Sequence, residues 1–90
     1  MKTIHLTQGK RAVVDDEDFE ELAQYRWYTH NMGYAFRHCK VEDRKKRTVY
    51  MHRVIMKAAV EFEVDHKNGN KLDNRRCNLR LATRSQNEMN

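Results

Sequence analysis

The sequence contains no proline, only three glycines, and no glycine- or serine-rich linker. It has no low-complexity run and no internal repeat, so a second domain is not expected. No stretch approaches the roughly 18 uninterrupted apolar residues of a membrane span. The N-terminal MKTIHLTQGKRAVV has neither an apolar h-region nor a small-residue cleavage site, which argues against a secretory signal. The expected compartment is the cytoplasm. Cys39 and Cys77 are the only cysteines, far apart and without partners at C-x-x-C spacing. A zinc knuckle needs four ligands in short pairs, and His38 and Cys39, as neighbours on a strand, point to opposite faces. Free thiols are the expectation.

What is present is a chain of 90 residues, 39% apolar and 34% charged. That length predicts one small unit whose core lies near the lower limit of self-sufficiency. The charge is unevenly spread. Residues 1–39 carry 5 Lys/Arg against 6 Asp/Glu, a net of −1, whereas residues 40–90 carry 13 against 7, a net of +6. A basic field concentrated in one half points to a polyanionic partner, of which nucleic acid is the commonest.

The periodicity predicts an α+β fold. Ile4, Leu6, Ala12 and Val14 alternate on two short strands around a Gln8-Gly9 turn. DDEDFEELAQYRW reads as a helix, with Asp15 or Asp16 as N-cap, acids in its first turn, and Phe19, Leu22 and Ala23 as its apolar stripe. RWYTHNMGYAFRHC reads as a hairpin turning at Asn31-Met32-Gly33, partnered by TVYMH after the charged loop KVEDRKKR. HRVIMKAAV reads as a second helix with Val54, Ile55, Ala58 and Ala59 inward. The aromatics Trp27, Tyr28, Tyr34, Phe36 and Tyr50 offer either core or a base-stacking platform, and in so small a chain core is the expectation.

The segment VDHKNGNKLDNRRCNLRLATRSQN differs in kind. It reads as a short strand, a loop rich in Asn, Asp and Gly, a second short strand, and the start of a helix. Asn and Gly suit such a loop because they tolerate left-handed backbone and Asn side chains bond local amides. Asp65 and His66 then project from one strand end toward opposite sides, able to flank one reacting group. Asp65 and Asn87 offer hard oxygens suited to Mg²⁺ or Mn²⁺. A neutral His66 can take a proton from water near pH 7. Together these describe metal-assisted phosphodiester hydrolysis. A calcium-binding EF-hand loop beginning at Asp65 fails, because Lys67 and Gly69 stand where it needs oxygen ligands.

With these residues in view, MHRVIM together with VDHKNGNKLDNRRCNLRLATRSQN closely resembles the HNH (ββα-metal) endonucleases, in particular their small phage and homing-endonuclease branch. IHLTQGKRAVVDDEDFEELAQYRWY resembles the N-terminal segment that often accompanies this type, so the likeness covers nearly the whole chain. It implies a single unit over residues 1–90, with an N-terminal strand-and-helix segment (1–50) and a ββα-metal motif (51–90). It further implies Asp65 and Asn87 as metal ligands and His66 as general base. Asn78 would be the middle residue of the signature, bonding backbone across the loop and helping to hold His66. Asn70 and Asn74 look like loop-fixing residues. His52 matches a frequent family position for which the residues themselves supply no catalytic role, and a structural role is expected. Members of the branch often continue into a separate DNA-binding region, which leaves open whether these residues are a whole nuclease or the catalytic portion of one.

The expected activity is divalent-metal-dependent cleavage or nicking of DNA. Lys40, Arg44, Lys45, Lys46, Arg47, Arg75, Arg76, Arg80 and Arg84 are the candidate phosphate contacts, supplying affinity rather than sequence selection. Two other readings remain. One is a basic DNA-binding module with a vestigial site; the other is a nuclease for RNA or structured DNA.

Overall fold

The computed structural model describes residues 1–42, 45–58 and 62–83; the side chains of residues 40–42 and of residue 45 lie outside that description. The architecture is α+β, with three small antiparallel sheets, each built from strands adjacent in the chain. β1 (Lys2–His5) pairs with β2 (Arg11–Val14) around a 3-10 turn at Thr7–Gly9. Gln8 and Gly9 both adopt positive φ there, 62° and 71°, the backbone that closes a two-stranded ribbon tightly. Alternation puts Ile4, Ala12 and Val14 inward, as the period-2 pattern requires.

α1 (Asp16–Leu22) is shorter than its sequence pattern. Three acids, Asp16, Glu17 and Asp18, occupy its first turn, where the helix dipole favours them. Asp15 has the extended N-cap backbone but makes no side-chain cap; its carboxylate is used elsewhere, as described below. β3 (Tyr28–Thr29), β4 (Ala35–Glu42) and β5 (Lys45–Tyr50) form the three-stranded sheet, with the turn at Asn31–Gly33 as the sequence implies. Thr29 locks this sheet to the first hairpin: its N–H donates to Thr7 Oγ1 (2.9 Å) and its hydroxyl to Thr7 O (3.0 Å).

α2 (Met51–Met56) follows directly and stops at Lys57, which takes a left-handed conformation, φ 49°. Helix-like periodicity in HRVIMKAAV therefore yields a helix of only six residues. Ile55 is buried and Val54 packs on the core, Ala58 lies past the helix end, and Ala59 is outside the described residues. β6 (Phe62–His66) and β7 (Leu79–Thr83) form the last sheet, with Asp65 opposite Arg80 and His66 opposite Leu79. The helix expected from residue 84 onward lies outside the described residues. No described helix is long and apolar enough to cross a membrane.

One core joins both halves: Ile4, Val14, Leu22, Trp27, Met51, Ile55 and Leu79 are all buried in it. Trp27 places its indole N–H on the Leu22 carbonyl at 2.8 Å, which satisfies its only polar atom inside the core. Of the five aromatics expected in the core, Trp27 alone is there. Tyr28, Tyr34, Phe36 and Tyr50 belong neither to the core nor to the partly buried residues packed on it. The correction has a simple cause: the register sets Tyr28, Phe36 and Tyr50 side by side across three strands, on the face opposite Ala35, which is core.

Candidate active site

β6 ends with two residues that part in opposite directions. Asp65 keeps 41% of its side chain exposed, while His66 is buried. The Asp65 carboxylate accepts the Arg80 guanidinium across the sheet at 2.7 Å, so this arginine is engaged in an ion pair. The His66 ring is fixed by Asn74: Nε2 lies 2.7 Å from Asn74 Oδ1. With Asn74 Oδ1 as the acceptor, the neutral ring that fits this contact is the tautomer protonated at Nε2, with its lone pair on Nδ1. Asn74 is wholly buried, and its amide Nδ2 has no hydrogen-bond partner among the described residues.

The loop that carries Asn74 is built almost entirely from its own polar side chains. Asn78 Nδ2 donates to the Asp73 carbonyl (2.9 Å) and to Asn68 Oδ1 (3.0 Å), and Asn78 Oδ1 accepts the Asn68 N–H (3.1 Å). The Asn78 backbone carbonyl accepts the Lys67 N–H at 2.8 Å. Asn78 thus bonds backbone across the loop, and the contact with the His66 ring is made by Asn74. Asn70 accepts the Leu72 N–H at 3.1 Å, a local loop-fixing bond. Gly69, at φ 79°, turns the chain just beyond His66 and donates its N–H to the His66 carbonyl.

Two residues with no role in the sequence reading carry much of this loop. Asn68 receives Asn78 on one side and donates to Asp73 Oδ2 at 3.0 Å on the other. Asp73 is buried and accepts Arg75 in a bidentate pair, both bonds 2.7 Å; Arg75's hydrogen bonds hold the Asp73 carboxyl below the usual range against the opposing effect of burial. The alternation of Asn and Asp through NGNKLDN signalled a loop; which carboxylate would be buried depends on tertiary contact with β2. There Val13 forms a parallel bridge to Asp73, donating to the Leu72 carbonyl (2.8 Å) and accepting the Asn74 N–H (2.7 Å). The first hairpin is therefore the seat on which the His66-holding loop rests.

The same arrangement occupies two arginines expected on phosphate. Arg75 is on Asp73, and Arg76 pairs with Asp18 (3.0 and 2.7 Å), while its backbone N–H reaches Asp15 at 2.9 Å. Lys46 and Arg47 are exposed. Arg44, Arg84 and Asn87 lie outside the described residues, as do the side chains of Lys40 and Lys45. Among the described residues one acidic trio, Asp15, Glu17 and Asp18, brings its oxygens within 4.8 Å of one another, but it faces Arg76.

Behind His66 stands His52, buried on α2, its ring centroid 5.0 Å from His66 and 5.0 Å from Tyr34. Burial, followed by the charges of His66 and Arg53, pushes its pKa down to about 4. The folded state therefore binds its proton more weakly than the unfolded chain, whose value is near 6.5. His52's contribution is fully present above pH 6.5 and is lost as pH falls toward 4, to a limit of about 3 kcal/mol. Urea unfolding midpoints are expected to drop across that window, and the slope is expected to flatten in His52→Phe.

Residues 49–89 match the model of the HNH endonuclease family. Over 83 residues, 92% of the chain, it is 32% identical to a protein named as an uncharacterized HNH endonuclease from Acanthamoeba polyphaga mimivirus. The chain spans 44% of that relative's length. No solved structure matches it.

The HNH family match implies a divalent metal, and the Asp65 carboxylate is of the right chemistry to hold one. It is a hard oxygen donor, partly open to solvent and next in sequence to the buried His66 imidazole. Arg80 is the competitor for that carboxylate and would have to share or yield it.

Proposed function

We propose that this chain is a metal-dependent nuclease that hydrolyses phosphodiester bonds in DNA, with His66 as general base. The observation that carries the reading is the Asn74–His66 bond. It directs the lone pair of a buried imidazole away from its anchor, one residue from an exposed carboxylate. In this reading Asp65 and Asn87 hold the ion and His66 Nδ1 removes the proton from the attacking water. A bound divalent ion would polarise the scissile phosphate and stabilise the leaving oxygen. Asn74 keeps the ring in one tautomer, and Asn78 holds the loop that presents Asn74.

Lys46 and Arg47 remain exposed phosphate contacts, joined by Lys40, Lys45, Arg44 and Arg84 in the basic half. Arg75 and Arg76 are withdrawn from that set because each already holds a carboxylate in a bidentate pair, and phosphate would have to displace it. Binding through such contacts is salt-dependent. Duplex affinity is expected to fall steeply between low and moderate salt, in proportion to the phosphates neutralised. An affinity that barely moves would contradict the assignment.

The direct test is relaxation of supercoiled plasmid by the purified chain in Mg²⁺ or Mn²⁺ against EDTA. Nicked or linear product only with metal is the expected result. Folded protein that binds DNA and cuts in no metal would instead make it a binding module.

A further inference from the structure

The aromatics excluded from the core form a continuous row. Phe36 sits directly between Tyr28 on β3 and Tyr50 on β5, all on the outer face of the sheet. Ring contacts extend the row in both directions. His38 packs on Phe36 at 5.3 Å, and His30 bridges Phe36 (5.2 Å) and Tyr50 (5.7 Å). Tyr50 then meets His52 at 5.6 Å, and His52 meets His66 at 5.0 Å. The row thus runs without a gap from the sheet edge to the candidate base. Tyr28 and His38 are exposed, and His30, Phe36 and Tyr50 are half-buried.

Its far end is cationic. Arg26, Arg37 and Lys46, with Tyr25, Tyr28 and His38, line an open cavity of about 490 Å³ where β4 runs on past the start of β3. The Arg37 guanidinium lies 3.8 Å from the Tyr25 ring centroid, and Arg26 stands 5.9 Å from that of Tyr28. Arg37 Nε is buried with no hydrogen-bond partner among the described residues. This basic, aromatic surface lies largely in the half of the chain whose net charge is −1, and summed charge gave no sign of it.

We infer that this outer sheet face is a track for an unpaired DNA strand, its bases stacking on the Tyr28–Phe36–Tyr50 row and its phosphates meeting Arg26 and Lys46, leading to His66. Every base has a π-face, and stacking on protein rings is available only to bases that are not already stacked in a duplex. Charge complementarity favours a polyanion here: no carboxylate lines the cavity among the described residues. The inference rests on the nuclease reading for where the track leads, and it adds that the preferred substrate carries a single-stranded stretch beside the scissile bond.

The test is fluorescence anisotropy of a labelled DNA single strand and of the matching intact duplex, in EDTA, with the full chain. Tyr28→Ala and Phe36→Leu, the second preserving apolar bulk without a π-face, are each expected to weaken single-strand binding by about tenfold. Duplex affinity should change far less, and the ratio should persist at raised salt. As a measurement independent of any variant, a strand containing 2-aminopurine should lose fluorescence on binding the unsubstituted chain. Unchanged single-strand affinity in both folded variants overturns the track, as does absent quenching, tighter binding of duplex, or a preference for RNA over DNA. Plasmid nicking by the unsubstituted chain is scored separately. Nicking without an aromatic effect sinks the track alone, and an aromatic effect without nicking sinks the nuclease reading alone.

Discussion

In His66→Ala, metal-dependent plasmid cleavage is expected to fall by about 10²–10⁴-fold, the range for a positioned general base, while DNA affinity stays within twofold. The asymmetry follows from burial. His66 is 8% exposed, so it presents little surface to a phosphate backbone, and the exposed Lys46 and Arg47 are unaffected by its loss. The substitution also removes a ring that packs on His52 and Tyr34 and leaves Asn74 Oδ1 without its donor. A thermal melt by circular dichroism must therefore accompany the assay, since a cavity and an orphaned acceptor lower stability together. Cleavage lost from a chain that is still folded and still binds assigns His66 to the chemistry. Loss of binding in step with cleavage would make it a structural residue.

The strands and the Asn-rich loop were legible because their signals are local. Ile4, Ala12 and Val14 alternate with polar residues on half-buried strands, and the Asn-Gly-Asn turn with Asn78 beyond it marks a loop held by side-chain amides. The aromatics were misread because burial of a strand residue depends on which face meets the core. Trp27 and Tyr28 are neighbours in sequence and lie on opposite sides of the sheet, Trp27 1% and Tyr28 36% exposed. The ion pair that engages Arg76 was not legible for a related reason: its counter-charge, Asp18, stands 58 residues earlier, and composition shows the sign of a charge but not its partner. The link between Asn74 and His66 was half legible. Eight residues apart, they are joined only because β2 holds the loop between them in place.

Asn74 is accordingly the second residue on which the site depends. Asn74→Ala removes the acceptor at 2.7 Å from His66 Nε2 and empties a fully buried volume against β2. The imidazole is then free to rotate or to exchange tautomers, so that Nδ1 no longer holds the lone pair for most of the time. A residue that orients another acts on turnover rather than on binding, and a loss of about 10–100-fold in kcat with little change in KM is expected, by analogy with groups that orient metal-bound histidines. Stability should fall as well, by about 1–3 kcal/mol, the cost of leaving a buried polar group unpaired. Asn74→Asp separates the two effects. It keeps an oxygen toward Nε2, so turnover should recover relative to Asn74→Ala, while a carboxylate in a wholly buried position keeps the chain destabilised. Steady-state rates and urea melts on the same preparations give both readouts. If the two variants lose turnover equally and only in proportion to the fraction unfolded, Asn74 merely fills space and the orientation of His66 comes from the loop backbone.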